Sequence, residues 1–206
     1  MSKKIYSIIL ALSLLIANFA FAEGQTISSN KADIARVEQY LNNIKTFVSP
    51  FTQVDASGAK SDGTFYLSRP GKLRWEYNPP TPVLIIAKGS LLTYYDSELD
   101  QVSHVGLEDS LSGFLTREVI SFSDKDIDVL KVARSNNNIS ITIKQKQKAG
   151  EGELTLIFDQ AKPELKQMVI VDSIGKTTTV NFETIVYDKQ LGKELFVLPK
   201  IKRNRR

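Results

Sequence analysis

The sequence predicts a mainly β protein with one N-terminal helix, about eleven strands and a helical insertion near the middle. Three observations carry this. A single stretch, Ile34, Val37, Leu41 and Ile44, repeats at the spacing of a helix face. Long runs elsewhere alternate apolar and polar residues and are separated by short turns. Only residues 107–119 break that rhythm. Consecutive strands joined by short turns form antiparallel meanders, so the expected architecture is a large curved sheet or an open barrel. The helices then bury their apolar sides in its concavity.

The elements follow in order. Lys3 and Lys4 precede an apolar run from Ile8 to Phe19, and Ala20-Phe21-Ala22 has the form of a leader-peptide cleavage site. Residues 1–22 are therefore expected to be a secretory signal. Residues 23–206 form one domain, of a size that buries a substantial core. Residues 23–30 read as a polar lead. A helix is expected over about 31–46, with Asn30 as N-cap and Asp33 in its first turn. Strands are expected at 47–54 and 63–69. Pro70 and Gly71 fit the centre of a type II turn, and Leu73, Trp75 and Tyr77 continue as the next strand until Asn78-Pro79-Pro80 ends it. Residues 83–88, 91–96 and 99–105 extend the meander. After the helical pattern of Leu107, Leu111, Phe114, Leu115 and Val119, weakened by Gly113, strands are expected near 127–133, 138–146, 152–160, 164–173, 176–187 and 194–198.

Composition narrows the chemistry. The chain has no Cys and one His, His104. Thiol nucleophiles, cysteine–zinc sites and histidine clusters are excluded, and no disulfide supports the fold. There is no G-x-S-x-G elbow and no phosphate-binding glycine loop. Gly150-Glu151-Gly152 reads as a hairpin turn. Asp124, Asp126 and Asp128 alternate as in a calcium loop but lack its Gly and closing Glu, so they read as a solvated face. Cofactors and metals are not expected. Without Lys3 and Lys4 the chain holds 25 basic and 23 acidic residues, a net of +2. Five of those basic residues lie in the tail Lys200–Arg206, which leaves the body at −3. That body is not a nucleic-acid binder, and the tail reads as solvated or as a contact for anionic headgroups.

One residue stands out. Alternation places Arg69 on the same face as Phe65 and Leu67. A permanently charged guanidinium beside apolar neighbours needs acceptors.

The residues around it form a pattern: Phe51-Thr52-Gln53, then Gly63-x-Phe65-x-Leu67-x-Arg69-Pro70-Gly71-x-Leu73-x-Trp75-x-Tyr77-x-x-Pro80, then Gly89, Tyr94-Tyr95-Asp96 and Gln101-Val102. In this pattern the chain resembles the LolA family of periplasmic lipoprotein carriers, specifically over 47–102 and in strand pattern over about 31–199. The resemblance implies an unclosed antiparallel β-barrel with a helical lid over a hydrophobic cavity. It implies a non-enzymatic, monomeric periplasmic chaperone. Such a protein carries acylated lipoproteins from an inner-membrane ABC transporter to an outer-membrane receptor. By the same resemblance Arg69 latches the lid, Phe65, Leu67, Leu73, Trp75 and Tyr77 line the cavity, and Leu111, Phe114 and Leu115 belong to the lid. Ser110-Leu111 stands where the family often has Thr-Pro. Two other readings stay open: a carrier or sensor of another envelope lipid such as a glycolipid, and an enzyme acting on envelope polymers.

Overall fold

The computed structural model describes residues 19–146 and 152–199. The expected leader up to residue 18, the expected hairpin turn at Gly150-Glu151-Gly152 and the basic tail fall outside the described residues, in whole or in part. Helix α1 spans Phe19–Asn43. It is longer than expected at its start, because residues 19–30 contain no Pro and the helix runs straight through Asn30, which therefore caps nothing. The strands are β1 (Thr46–Val54), β2 (Lys60–Ser68), β3 (Lys72–Tyr77), β4 (Val83–Lys88), β5 (Leu91–Asp96), β6 (Gln101–Gly106), β7 (Ile127–Ser135), β8 (Asn138–Gln145), β9 (Glu153–Asp159), β10 (Leu165–Val171), β11 (Thr177–Phe182) and β12 (Val186–Tyr187).

All twelve belong to one antiparallel sheet in the order β6-β5-β4-β3-β2-β1-β11-β10-β9-β8-β7, with β12 also pairing β1. The outermost strands, β6 and β7, are consecutive in the chain, so residues 107–126 connect the two free edges of an unclosed sheet.

Period-two alternation decides which side of the sheet is core. Phe47 and Phe51, Phe65 and Leu67, Ile139, Ile141 and Ile143, and Leu154, Leu156 and Phe158 are buried on one face. Val37 and Leu41 of α1 and Ile44 pack against them. Asp33, fully buried, is held by Arg134 of β7 through Nε and Nη2 at 2.6 and 2.7 Å, which ties the helix to that edge.

Four expectations need correction. The insertion is not one helix but two 3-10 turns, Leu107–Asp109 and Leu111–Thr116. The chain doubles back so tightly that a Cβ on Gly113 would lie 2.1 Å from the Leu107 carbonyl oxygen. The Arg69–Pro70 peptide is cis, so the turn is not type II, although Gly71 takes a positive φ of 71°. The expected strand at 176–187 is split. Pro50 of β1 has no N–H to give, and the pairing slips by one residue between Phe51↔Phe182 and Val48↔Val186. Finally, 194–198 is no strand: Lys193–Phe196 is a 3-10 turn. It packs Leu195 and Phe196 against Leu84, Ile86 and Tyr95 in a separate apolar cluster, and its Leu195 carbonyl accepts from Arg74 Nη1 at 3.0 Å.

Candidate functional site at the open side of the sheet

Three segments meet where the sheet fails to close: the C-terminus of α1, the turn after β2, and the 107–126 link. The last carbonyls of a helix have no donors within it. Arg69 supplies them. Its Nη1 donates to the carbonyls of Leu41 and, at 3.4 Å, Ile44, and its Nη2 reaches Asn42 Oδ1 at 3.3 Å. A cation is favoured at this end of a helix. The other side of the same guanidinium grips the link: Nε donates to the Arg117 carbonyl at 2.7 Å and Nη2 to the Glu118 carbonyl at 3.0 Å. Arg69 is half-buried, and that burial pushes its pKa below the ordinary arginine value. One side chain therefore joins helix, sheet and link.

Three further groups reinforce this junction, and the sequence reading did not single them out in this role. Asn42 makes a reciprocal pair with the Ile120 backbone, Nδ2 to O and N to Oδ1, both 2.8 Å. Glu38 accepts from the Phe122 amide at 2.7 Å and the Ser121 hydroxyl at 3.2 Å. On a helix these polar positions look like an ordinary solvated face; only the link folding over them gives them partners. Within the link, Arg117 is clasped by Asp124 at 2.7 Å and by Asp126, and lies 5.2 Å from the centre of the Phe114 ring. Asp124 and Asp126 are thus not a free solvated face. The Arg117 guanidinium holds the Asp126 carboxyl below the usual carboxylate range.

Beneath the junction lies the apolar interior. Phe65, Leu67, Leu73, Trp75, Phe114 and Leu115 are all buried in one cluster. Phe65 sits 4.4 Å from Trp75, 5.3 Å from Phe47 and 5.5 Å from Phe182, centre to centre. The backbone of Leu111 lies in the second 3-10 turn. The C-terminal strands contribute as much to this interior as the N-terminal ones, through Ile139, Ile141, Ile143, Leu154 and Phe158. Their strict alternation was the signal that marks them.

Tyr77 stands at the margin of this cluster. It is half-buried, its ring edge-on to Phe51 and its hydroxyl donating to Gln53 Oε1 at 2.8 Å. Burial pushes its phenol up to about 12 from 10.0. A phenol that holds its proton more tightly when folded stabilises the fold fully below the unfolded value and loses that contribution above it. Stability is thus expected to fall between pH 10 and 12, with a smaller fall in Tyr77→Phe. Urea midpoints measured across that range check this; identical pH profiles for the two proteins would refute it.

Among the described residues, no helix is long and apolar enough to cross a membrane, and no cluster of three or more His, Cys, Asp or Glu is placed to hold a metal.

The family model described as outer membrane lipoprotein carrier protein LolA matches residues 42–199. The chain is 25% identical over 185 residues to the uncharacterized protein RP864 of Rickettsia prowazekii (strain Madrid E), covering 90% of this chain and 85% of that one. It is 26% identical over 179 residues to the outer-membrane lipoprotein carrier protein of Legionella pneumophila (strain Corby), covering 84% and 87%. An uncharacterized conserved protein from Thermus thermophilus shares the fold, with a TM-score of 0.52 at 13% identity over 84% of this chain and 96% of that one. The matched span runs from the end of α1 through every strand to Pro199, so the unclosed sheet, Arg69 and the 107–126 link lie within it, and the chain belongs to the LolA family of outer membrane lipoprotein carriers.

Proposed function

We propose that this protein is a monomeric periplasmic carrier that takes acylated lipoproteins from an inner-membrane ABC transporter and passes them to an outer-membrane receptor. The observation that carries the reading is the Arg69 junction: a single guanidinium fastens helix and link over an apolar interior, using hydrogen bonds that an incoming ligand can break. Three acyl chains of about 15 methylenes each cost roughly 36 kcal/mol in water at ~0.8 kcal/mol per methylene. A carrier must cover that surface and still let it go. On this reading residues 107–119 are the lid, Arg69 is the latch, and Phe65, Leu67, Leu73, Trp75, Tyr77, Leu111, Phe114 and Leu115 receive the chains. Entry separates the lid from α1, and the lost charged hydrogen bonds lower the net affinity for cargo. Residues 1–22 act as the export signal; the α1 contacts described above begin at Asp33, so its removal leaves them intact.

The test is mass spectrometry of material that co-purifies with the protein from periplasm. The expected ligand is a peptide acylated at its N-terminus. A glycolipid in its place would overturn the lipoprotein reading in favour of another envelope lipid, and a protein that carries nothing and cleaves an envelope polymer would overturn carriage altogether.

A further inference from the structure

A pocket of about 360 Å³ lies at the rim of the interior, between the Pro70–Gly71 turn and the link. Its wall includes Leu107, Phe114 and Gln145. Leu107 and Phe114 also belong to the buried apolar cluster, so the pocket adjoins the interior directly. Gln145, at the end of β8, is 7% exposed. Its Nε2 donates to the Glu108 carbonyl at 2.9 Å. That carbonyl can only accept, which fixes the amide orientation and turns Oε1 the other way. Among the described residues, Oε1 of Gln145 is the buried side-chain atom that has no hydrogen-bond partner. Leaving such an acceptor unpaired is unfavourable, and native structures rarely do so without a reason.

We infer that this pocket is a subsite for a neutral hydrogen-bond donor, an amide N–H or a hydroxyl, carried at the polar end of an acyl chain that occupies the interior. The ligand class follows from the wall. Gln145 lines the pocket, and its unpaired oxygen is an acceptor closed to solvent, so a ligand that enters and shifts the amide to reach it must donate. The guanidinium in the wall, Arg117, is already committed to Asp124 and Asp126, so among the described lining residues no cation is spare for an anionic headgroup. The apolar side formed by Leu107 and Phe114 leads the attached chain inward. An amide-linked acyl group therefore completes the site. Its ester counterpart brings only acceptors and leaves Oε1 unpaired.

The inference rests on the carrier reading, and the experiment separates the two. N-methyldodecanamide and methyl dodecanoate share a twelve-carbon acyl chain, and only the first has an N–H. Calorimetric titration of the full mature protein with each probe should give about tenfold tighter binding of the amide, the worth of one buried hydrogen bond. Gln145→Leu should lose the preference for the amide, whose N–H then meets no acceptor, and bind the ester at least as tightly. If the wild-type protein binds both equally, the subsite is refuted while acyl carriage stands; this comparison needs no variant. A preference that survives in Gln145→Leu refutes the assignment to Gln145. If neither probe binds the wild-type protein, the carrier reading fails and the inference falls with it.

Discussion

Arg69→Leu is expected to yield a carrier that accepts acylated cargo and does not pass it on. The guanidinium donates to the Arg117 and Glu118 carbonyls on one side and to Leu41, Ile44 and Asn42 on the other. A hydrogen bond from a charged donor contributes about 1.5–3 kcal/mol. If loading breaks only the two bonds to the link, the closed form gains about 3 kcal/mol over the loaded one at the lower figure, or roughly a hundredfold in cargo affinity. Leucine fills part of the space but donates nothing. The closed form then no longer competes, and cargo stays. The variant should also unfold at lower denaturant, since the α1 and link carbonyls lose their donor. The measurement is the fraction of lipoprotein transferred to purified receptor at fixed receptor concentration. Transfer equal to wild type removes Arg69 from the release step.

Phe65→Ala should lose about 3–5 kcal/mol of stability, the usual cost of deleting a fully buried ring. Phe65 has no exposed surface and touches Phe47, Trp75 and Phe182 at the centre of the sheet. The surrounding strands are paired on both sides, so the site cannot collapse to fill the void. A cargo chain can fill it. On the carrier reading, acylated cargo should therefore restore part of the loss and raise the unfolding midpoint more in Phe65→Ala than in wild type. Equilibrium urea unfolding with and without cargo reads both effects. A loss under about 1 kcal/mol would mean that the core repacks freely, and equal stabilisation by cargo would place the acyl chains elsewhere.

Much of the fold was legible because a half-buried antiparallel sheet writes itself into the chain as alternation. The order β1 to β6 and β7 to β10 followed from that pattern and from short turns. What was not legible depends on partners distant in sequence. Nothing local at 176–187 announces a break; the cause is Pro50, which lies more than a hundred residues away and cannot donate to its neighbour. The 3-10 turn at Lys193–Phe196 has a β-like composition, and only its docking on Leu84 and Ile86 decides its form. At the junction, Arg69 was conspicuous because a charge interrupts an apolar face. Asn42, Glu38 and Gln145 were silent, since a polar side chain on a helix or at a strand end is ordinary until the link covers it.

The order of the strands also has a consequence for how the molecule assembles. Every pairing in the sheet joins sequence neighbours except at one seam, where β1 meets β11 and β12. Residues 46–106 and 127–182 can thus zip up as two independent ribbons through cheap, local loop closures. Joining them requires Phe51 to find Phe182 across the whole intervening chain, the slow kind of contact. The seam sets the pace of folding, and until it forms each ribbon presents one extra bare edge to its surroundings. That interval is when each ribbon is most able to pair with another copy of the chain.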